Sequence, residues 1–334
     1  MTKVETYSSF EEKVEYFEQI NIKTKYELDQ IISKYPENDK NELYFRGCNE
    51  AYYKLFNTAQ RSWISNEPTN LGFTYDNFIK NEIRNARNWQ GNLLEKFFSA
   101  FGQLPNDLIM LGFLQHYGAP TTLLDWTYSF NNSLFFATDR VKYNDSENEI
   151  ENYISIYIID NVAVDFDSHL ENLIHSLDLF KSLQESLSDE NRKELMDVIE
   201  KWGSLNYQDL INMSIISLVP GYQKDGYFHK NEELSFKFFY NQQNLNIINQ
   251  KGFFIFNPSE DKPLEYFCCG KPLEEKGRPV FIPKITCLNI HKSLLKYVKK
   301  HLNNMKPYPI NKEFIYPQEE FIAKNSFRQM LNFE

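Results

Sequence analysis

Tyr153-Ile154-Ser155-Ile156-Tyr157-Ile158-Ile159 is the clearest strand signal in the first half of the chain. Its residues are almost all β-branched or aromatic, the types that suit a pleated surface. The acidic run Asn144 to Glu151, just before it, reads as a surface loop. Toward the N-terminus the pattern is mostly helical. Residues 10–34 read as helix, with Phe10, Val14, Phe17, Ile20, Ile22 and Leu28 on one face and a capping box at Ser9 and Glu12. Leu43-Tyr44-Phe45-Arg46 reads as a short strand closed by Gly47. Residues 75–115 read as helical, with a break near Gly102 to Pro105. Leu123 to Trp126 is a short buried segment, and Asn131 to Val141 a helix rich in Phe.

Toward the C-terminus, Leu170 to Trp202 reads as a polar helical stretch. Strands follow at Ile215–Val219, Leu234–Tyr240, Phe253–Phe256 and Val280–Leu288. Ile290 to Leu302 is an amphipathic helix with Ile290, Leu294, Leu295, Val298 and Leu302 on its apolar side. There is no βα alternation. The expected class is therefore α+β: one mixed sheet with helices, a helical N-terminal half and a strand-rich C-terminal half. No linker stands out, so residues 1–334 read as one domain, with 165–210 as a helical insertion.

Composition narrows the function classes. The 334 residues carry a net charge of −10, which disfavours non-specific nucleic-acid binding. The 16% aromatic content argues against disorder. No apolar run is long enough for a membrane helix, and the first residues contain no secretory h-region. Cys48, Cys268, Cys269 and Cys287 form no metal-like spacing and read as reduced, in a cytoplasmic protein. The six His are scattered, so no metal is expected. Phosphate-binding and hydrolase motifs are absent. The basic run on the Ile290 helix, from Lys292 to Lys300, reads as a solvated face.

The densest polar constellation is Gln115-His116-Tyr117-Gly118-Ala119-Pro120-Thr121-Thr122-Leu123-Leu124-Asp125-Trp126-Thr127. Gly118 and Pro120 mark a turn. An Asp after two Leu and before a Trp needs a partner, which His116 or Arg46 can supply. The plainer alternative is that Asp125 caps the helix from Asn131 or braces a loop. Arg46 lies in an apolar strand and also needs pairing. Its planar fork suits a carboxylate or a phosphate. Gly47 leaves room for a ligand or for backbone to approach. Arg46 and Asp125 are expected within hydrogen-bond reach, directly or through one water, with His116 and Tyr117 on a cleft wall and Trp126 behind.

In this order the motifs Tyr44-Phe45-Arg46-Gly47, Gln115-His116-Tyr117-Gly118, Leu123-Leu124-Asp125-Trp126-Thr127 and Phe135-Phe136-Ala137 closely resemble the bacterial FRG domain, named for its Phe-Arg-Gly. They span residues 43–137. Asn249 to Phe254 looks like a Gln-Gly-x-Phe element of longer members. The family commonly has Arg after Pro-Thr, where this chain has Thr122, so no anion-binding Arg carries over to that position.

Aromatic-Arg-Gly on a first strand is also similar to the first motif of arginine-type ADP-ribosyltransferases. That similarity implies NAD as co-substrate, its phosphates on Arg46 and Gly47. His116 and Tyr117 would line the nicotinamide pocket, near Asp125, and Thr121 or Thr122 would replace the Ser/Thr element. No Ser-Thr-Ser occurs. For the ribose-gripping carboxylate, Glu232 and Glu233 are better placed than Glu147, Glu149 and Glu151 of the acidic loop. Two functions follow. One is an NAD-dependent ADP-ribosyltransferase acting as a toxin or phage-defence effector on a macromolecular acceptor. The other is a non-catalytic module that senses a nucleotide or a protein partner. A nuclease is disfavoured, because one carboxylate is too few for a two-metal site.

Overall fold

The computed structural model describes residues 3–36, 43–66, 72–100, 107–143, 145–160, 214–217, 238–240, 245–270, 272–275, 278–281 and 284–317. The stretch 165–210, Glu232 and Glu233 lie outside them. Ten strands are described: β1 Phe17–Ile22, β2 Leu43–Cys48, β3 Leu123–Thr127, β4 Tyr153–Asp160, β5 Ser214–Ser217, β6 Phe238–Tyr240, β7 Gly252–Phe256, β8 Pro272–Glu275, β9 Arg278–Phe281 and β10 Ile285–His291. Eight of them form one sheet in the order β1-β10-β4-β2-β3-β7-β5-β6, and β8 pairs with β9 alone. The β1–β10 and β5–β7 pairs are parallel and the others antiparallel. The fold is thus α+β around one mixed sheet.

β4 shows why both faces are covered. Tyr153, Tyr157 and Ile159 join one apolar cluster, while Ile154, Ile156 and Ile158 join another. Successive side chains of a strand point to opposite faces, so an uninterrupted apolar run must be packed on both. The first cluster includes Tyr44, Trp126, Phe253 and Cys287. The second includes Phe45, Phe130, Leu134, Leu288 and Val298. A third, with Ala59, Trp63, Ile79, Met110, Leu123 and Phe254, lies under the helices Thr58–Asn66, Tyr75–Asn88 and Asp107–His116.

Residues 10–34 are not one helix. A short helix Phe10–Lys13 is followed by β1, and a new helix, Lys25–Lys34, starts from a Thr24–Glu27 capping box. The spacing of Phe10, Val14 and Phe17 mimics a helical face. Pairing along β10 outweighs it, and β1 is an edge strand, where Glu18, Gln19 and Asn21 are tolerated. The Val280–Leu288 stretch likewise splits into β9 and β10, and Ile290 belongs to β10 rather than starting the helix Leu295–Asn303. Lys13 is fully buried beside β1. Its Nζ donates to the Ala51 carbonyl at 2.8 Å, Ser155 Oγ at 2.8 Å and Asn289 Oδ1 at 3.0 Å, so the charge is satisfied without a carboxylate.

The helix Phe130–Thr138 crosses β2 directly at Gly47. A Cβ added there would lie 2.0 Å from the Ser133 carbonyl oxygen and 2.6 Å from the Ala137 amide nitrogen. These are backbone atoms and cannot rotate away. Gly47→Ala is therefore expected to destabilise the protein by overpacking, by about 1–3 kcal/mol or more. Denaturant unfolding checks this; an unchanged midpoint would refute the close approach.

Candidate functional site

Arg46 is placed by the alternation of β2. Tyr44 packs against the Tyr128 and Phe253 rings, with centroids 5.5 and 4.8 Å away, and Phe45 turns to the opposite face against Phe130. Arg46 returns to the face of Tyr44, in register with Tyr157 of β4. On this side β2 is paired with β4 along its whole length, but with β3 only at Phe45 and Thr127. Next to that single pair the Arg46 guanidinium bridges the two strands. Its Nη1 donates to the Asp125 backbone carbonyl and lies 4.0 Å from Asp125 Oδ2. The Asp125 side chain is 56% exposed, so this ion pair is screened and worth little by itself. Arg46 Nε is buried with no hydrogen-bond partner among the described residues.

Gln115 links the two ends of the turn. Its Nε2 donates to Asp125 Oδ2 at 2.7 Å, and its Oε1 accepts from the Thr121 hydroxyl. A carboxylate only accepts, so the amide is oriented by its partners. Thr121 is itself anchored: its N–H donates to Thr58 Oγ1 at 2.9 Å, and its carbonyl accepts from the Ala59 amide at 3.0 Å. The Asp125 carboxylate is thus held by Gln115 and Arg46. Asp125 does not cap the next helix; the Ser129 hydroxyl does, accepting from the Asn132 amide at 3.1 Å.

His116 ends the Asp107–His116 helix and packs its ring edge-on to Phe254, centroids 5.4 Å apart. Its Nε2 is buried and unpartnered among the described residues. Desolvation holds the imidazole below its ordinary proton affinity, against a smaller upward pull from Asp125. Tyr117 is 70% exposed, with its ring against Phe113. Gly118 follows with a φ of 80°, the left-handed conformation that reverses the chain toward β3. Thr121 and Thr122 are both buried, and the Thr122 hydroxyl has no partner among the described residues. Trp126 is buried on the Tyr44 side of the sheet.

Arg46 and Gly47 also face a cavity of about 820 Å³. It is bounded further by Cys48, Tyr52, Tyr53, Lys54, Arg61, Phe136 and Glu151, and by the N-terminal segment from Lys3 to Ser8. No residue from Gln115 to Thr127 lines it. Asp125, His116 and Tyr117 thus lie off the wall of this cavity. Two lining residues were not legible in sequence. Arg61 sits in the polar helix Thr58–Asn66 with no spacing to single it out. Glu151 reads as part of a solvated acidic loop until β4 and the N-terminal segment bring it to the cavity. No group of three His, Cys, Asp or Glu among the described residues is arranged to hold a metal, and no described helix is long and apolar enough to cross a membrane.

Residues 41–146 match the family model of the FRG domain. That interval contains β2, the Gln115–Asp125 relay, β3 and the helix over Gly47, so the matched region and the Arg46 centre coincide. Comparison with curated proteins and with solved structures gives no match.

The neutral His116 predicts a pH dependence. In the unfolded chain an imidazole protonates near pH 6.5, whereas in the fold it stays neutral to lower pH. The unfolded state then binds more protons as pH falls, so this contribution is full above about pH 6.5 and is lost below it. His116→Phe, which keeps the ring contact with Phe254, should lose less melting temperature than wild type between about pH 7.5 and about pH 5.5. Equal losses in the two proteins would show that His116 titrates normally.

Proposed function

We propose that the chain is an FRG-domain protein that binds NAD at the Arg46 cavity and transfers or releases its ADP-ribosyl group, serving as a bacterial toxin or defence effector on a macromolecular acceptor. One observation carries this reading: a guanidinium, anchored by the Asp125 carbonyl, lines a cavity of about 820 Å³. Cofactor sites span about 300–1,000 Å³, so a dinucleotide is within range. Arg46 would hold its phosphates, a task for which the planar fork is suited. Gly47 lines the cavity beside it, while the helix Phe130–Thr138 fills the space a Cβ would take.

Ribosyl transfer from NAD develops positive charge on the ribose as nicotinamide leaves, and a nearby carboxylate offsets it. Glu151 shares the cavity with Arg46, which makes the acidic loop a source for that group. Glu232 and Glu233 remain alternatives from the sequence. Asp125 is less suited, since its carboxylate is held by Gln115 and lies off the cavity wall.

Arg46→Lys is expected to weaken NAD binding about tenfold to a hundredfold, from the loss of one charged hydrogen bond of about 1.5–3 kcal/mol. Glu151→Gln, Glu232→Gln and Glu233→Gln, made singly, should identify the carboxylate: the variant that matters keeps NAD binding but stops nicotinamide release. Calorimetry and a nicotinamide assay report the two quantities. Wild type that binds NAD without releasing nicotinamide, with or without candidate acceptors, is a sensing module. Wild type that does neither removes NAD from consideration.

A further inference from the structure

The charge on the cavity wall runs against the charge of the whole chain. The protein carries −10, yet the cavity is lined by four basic side chains, Lys3, Arg46, Lys54 and Arg61, against two carboxylates, Glu5 and Glu151. Lys54 is already neutralised, 3.0 Å from Glu5 and 3.6 Å from Glu12. Arg61 is different. Its Nη1 donates to the Phe56 carbonyl, and no carboxylate lies within ion-pair distance of it among the described residues. A guanidinium held by a backbone carbonyl is fixed in direction while its charge has no ion-pair partner among the described residues.

We infer that Arg61 and Arg46 together form a two-guanidinium clamp for the diphosphate of a nucleotide, with Arg61 the second anion-holding residue of the site. Two like charges facing one cavity repel each other, and a bound dianion removes that repulsion while accepting forked hydrogen bonds from both. Desolvation, and then the Arg46 charge, lower the proton affinity of Arg61, against smaller upward pulls from Cys48, Asp125 and Tyr53, which agrees with the nearness of Arg46. Tyr53 adds the feature that favours a nucleotide over a bare anion. Tyr53 lines the same cavity and is 41% exposed, so an aromatic side chain, in edge contact with Tyr52, is at hand for a base. The inference rests on the reading of this cavity as a nucleotide site, and not on ribosyl-transfer chemistry.

The test is calorimetric titration of the full chain with inorganic pyrophosphate, ADP, adenosine and NAD, using wild type, Arg61→Met and Arg61→Lys. Wild type should bind ADP and pyrophosphate more tightly than adenosine, and more weakly as salt rises. Arg61→Met should lose at least about tenfold in ADP affinity, the equivalent of one charged hydrogen bond. Arg61→Lys should fall between the two. A measurement on wild type guards against a variant that misfolds: ADP should protect Arg61 from dicarbonyl modification, read by peptide mass spectrometry. The inference fails if wild type binds neither ADP nor pyrophosphate, if Arg61→Met binds ADP as tightly as wild type, or if ADP leaves Arg61 reactive. Binding of ADP and pyrophosphate without NAD would retire the transferase reading and leave the clamp standing. NAD binding that is indifferent to Arg61→Met would do the reverse.

Discussion

The seating of the helix Phe130–Thr138 on Gly47 is the contact on which the site depends. Backbone meets backbone there, with no space for even a methyl group. This sets how deeply the helix lies on the sheet. Phe45, two residues earlier and on the same face of β2, turns into the cluster shared with Phe130 and Leu134. Burying such a ring is worth about 1.5–3 kcal/mol. The three residues Phe45, Arg46 and Gly47 thus divide the work by strand periodicity alone: an apolar anchor under the helix, a guanidinium on the opposite face, and a gap that lets the helix approach.

Arg46 has two roles because β2 and β3 are paired at only one position. Its Nη1 spans the strands to the Asp125 carbonyl, which anchors a side chain that also lines the cavity. The relay from Thr121 through Gln115 to Asp125 fixes the carboxylate in place. Of the relay only Thr121 is buried, so its hydroxyl is the group for which a partner matters most. The Gln115–Thr127 stretch therefore acts on the cavity indirectly: it positions Arg46 and does not line the wall.

The cavity also collects charge from distant parts of the chain. Arg46 comes from β2, Arg61 from the Thr58–Asn66 helix, Glu151 from the turn before β4, and Lys3 and Glu5 from the N-terminal segment. The segment is itself held down, with the Tyr7 amide donating to the Tyr52 carbonyl at 2.8 Å and the Tyr7 hydroxyl to the buried Glu265 at 2.6 Å. A basic surface confined to a cavity in an acidic protein concentrates anions locally without inviting polyanions generally.

Local pattern was enough for much of this. The apolar run of β4, the Thr- and Leu-rich approach to Asp125 and the isolated Arg46 declared a mixed sheet and a paired Arg–Asp centre, because an unpaired charge in an apolar strand is too costly to leave alone. Other features depended on contacts between residues far apart in the chain. β1 carries a helical spacing and became a strand because β10 offered it a parallel edge. Gly47 left open whether ligand or backbone approaches it, and the close approach of Ser133 and Ala137 is visible only in the tertiary structure. Arg61 and Glu151 look like ordinary surface residues in sequence, since a side chain's neighbours across a cavity leave no periodic trace in its own segment. Sequence determines which groups must be satisfied; the tertiary structure decides with what, because the partners are chosen by packing at long range.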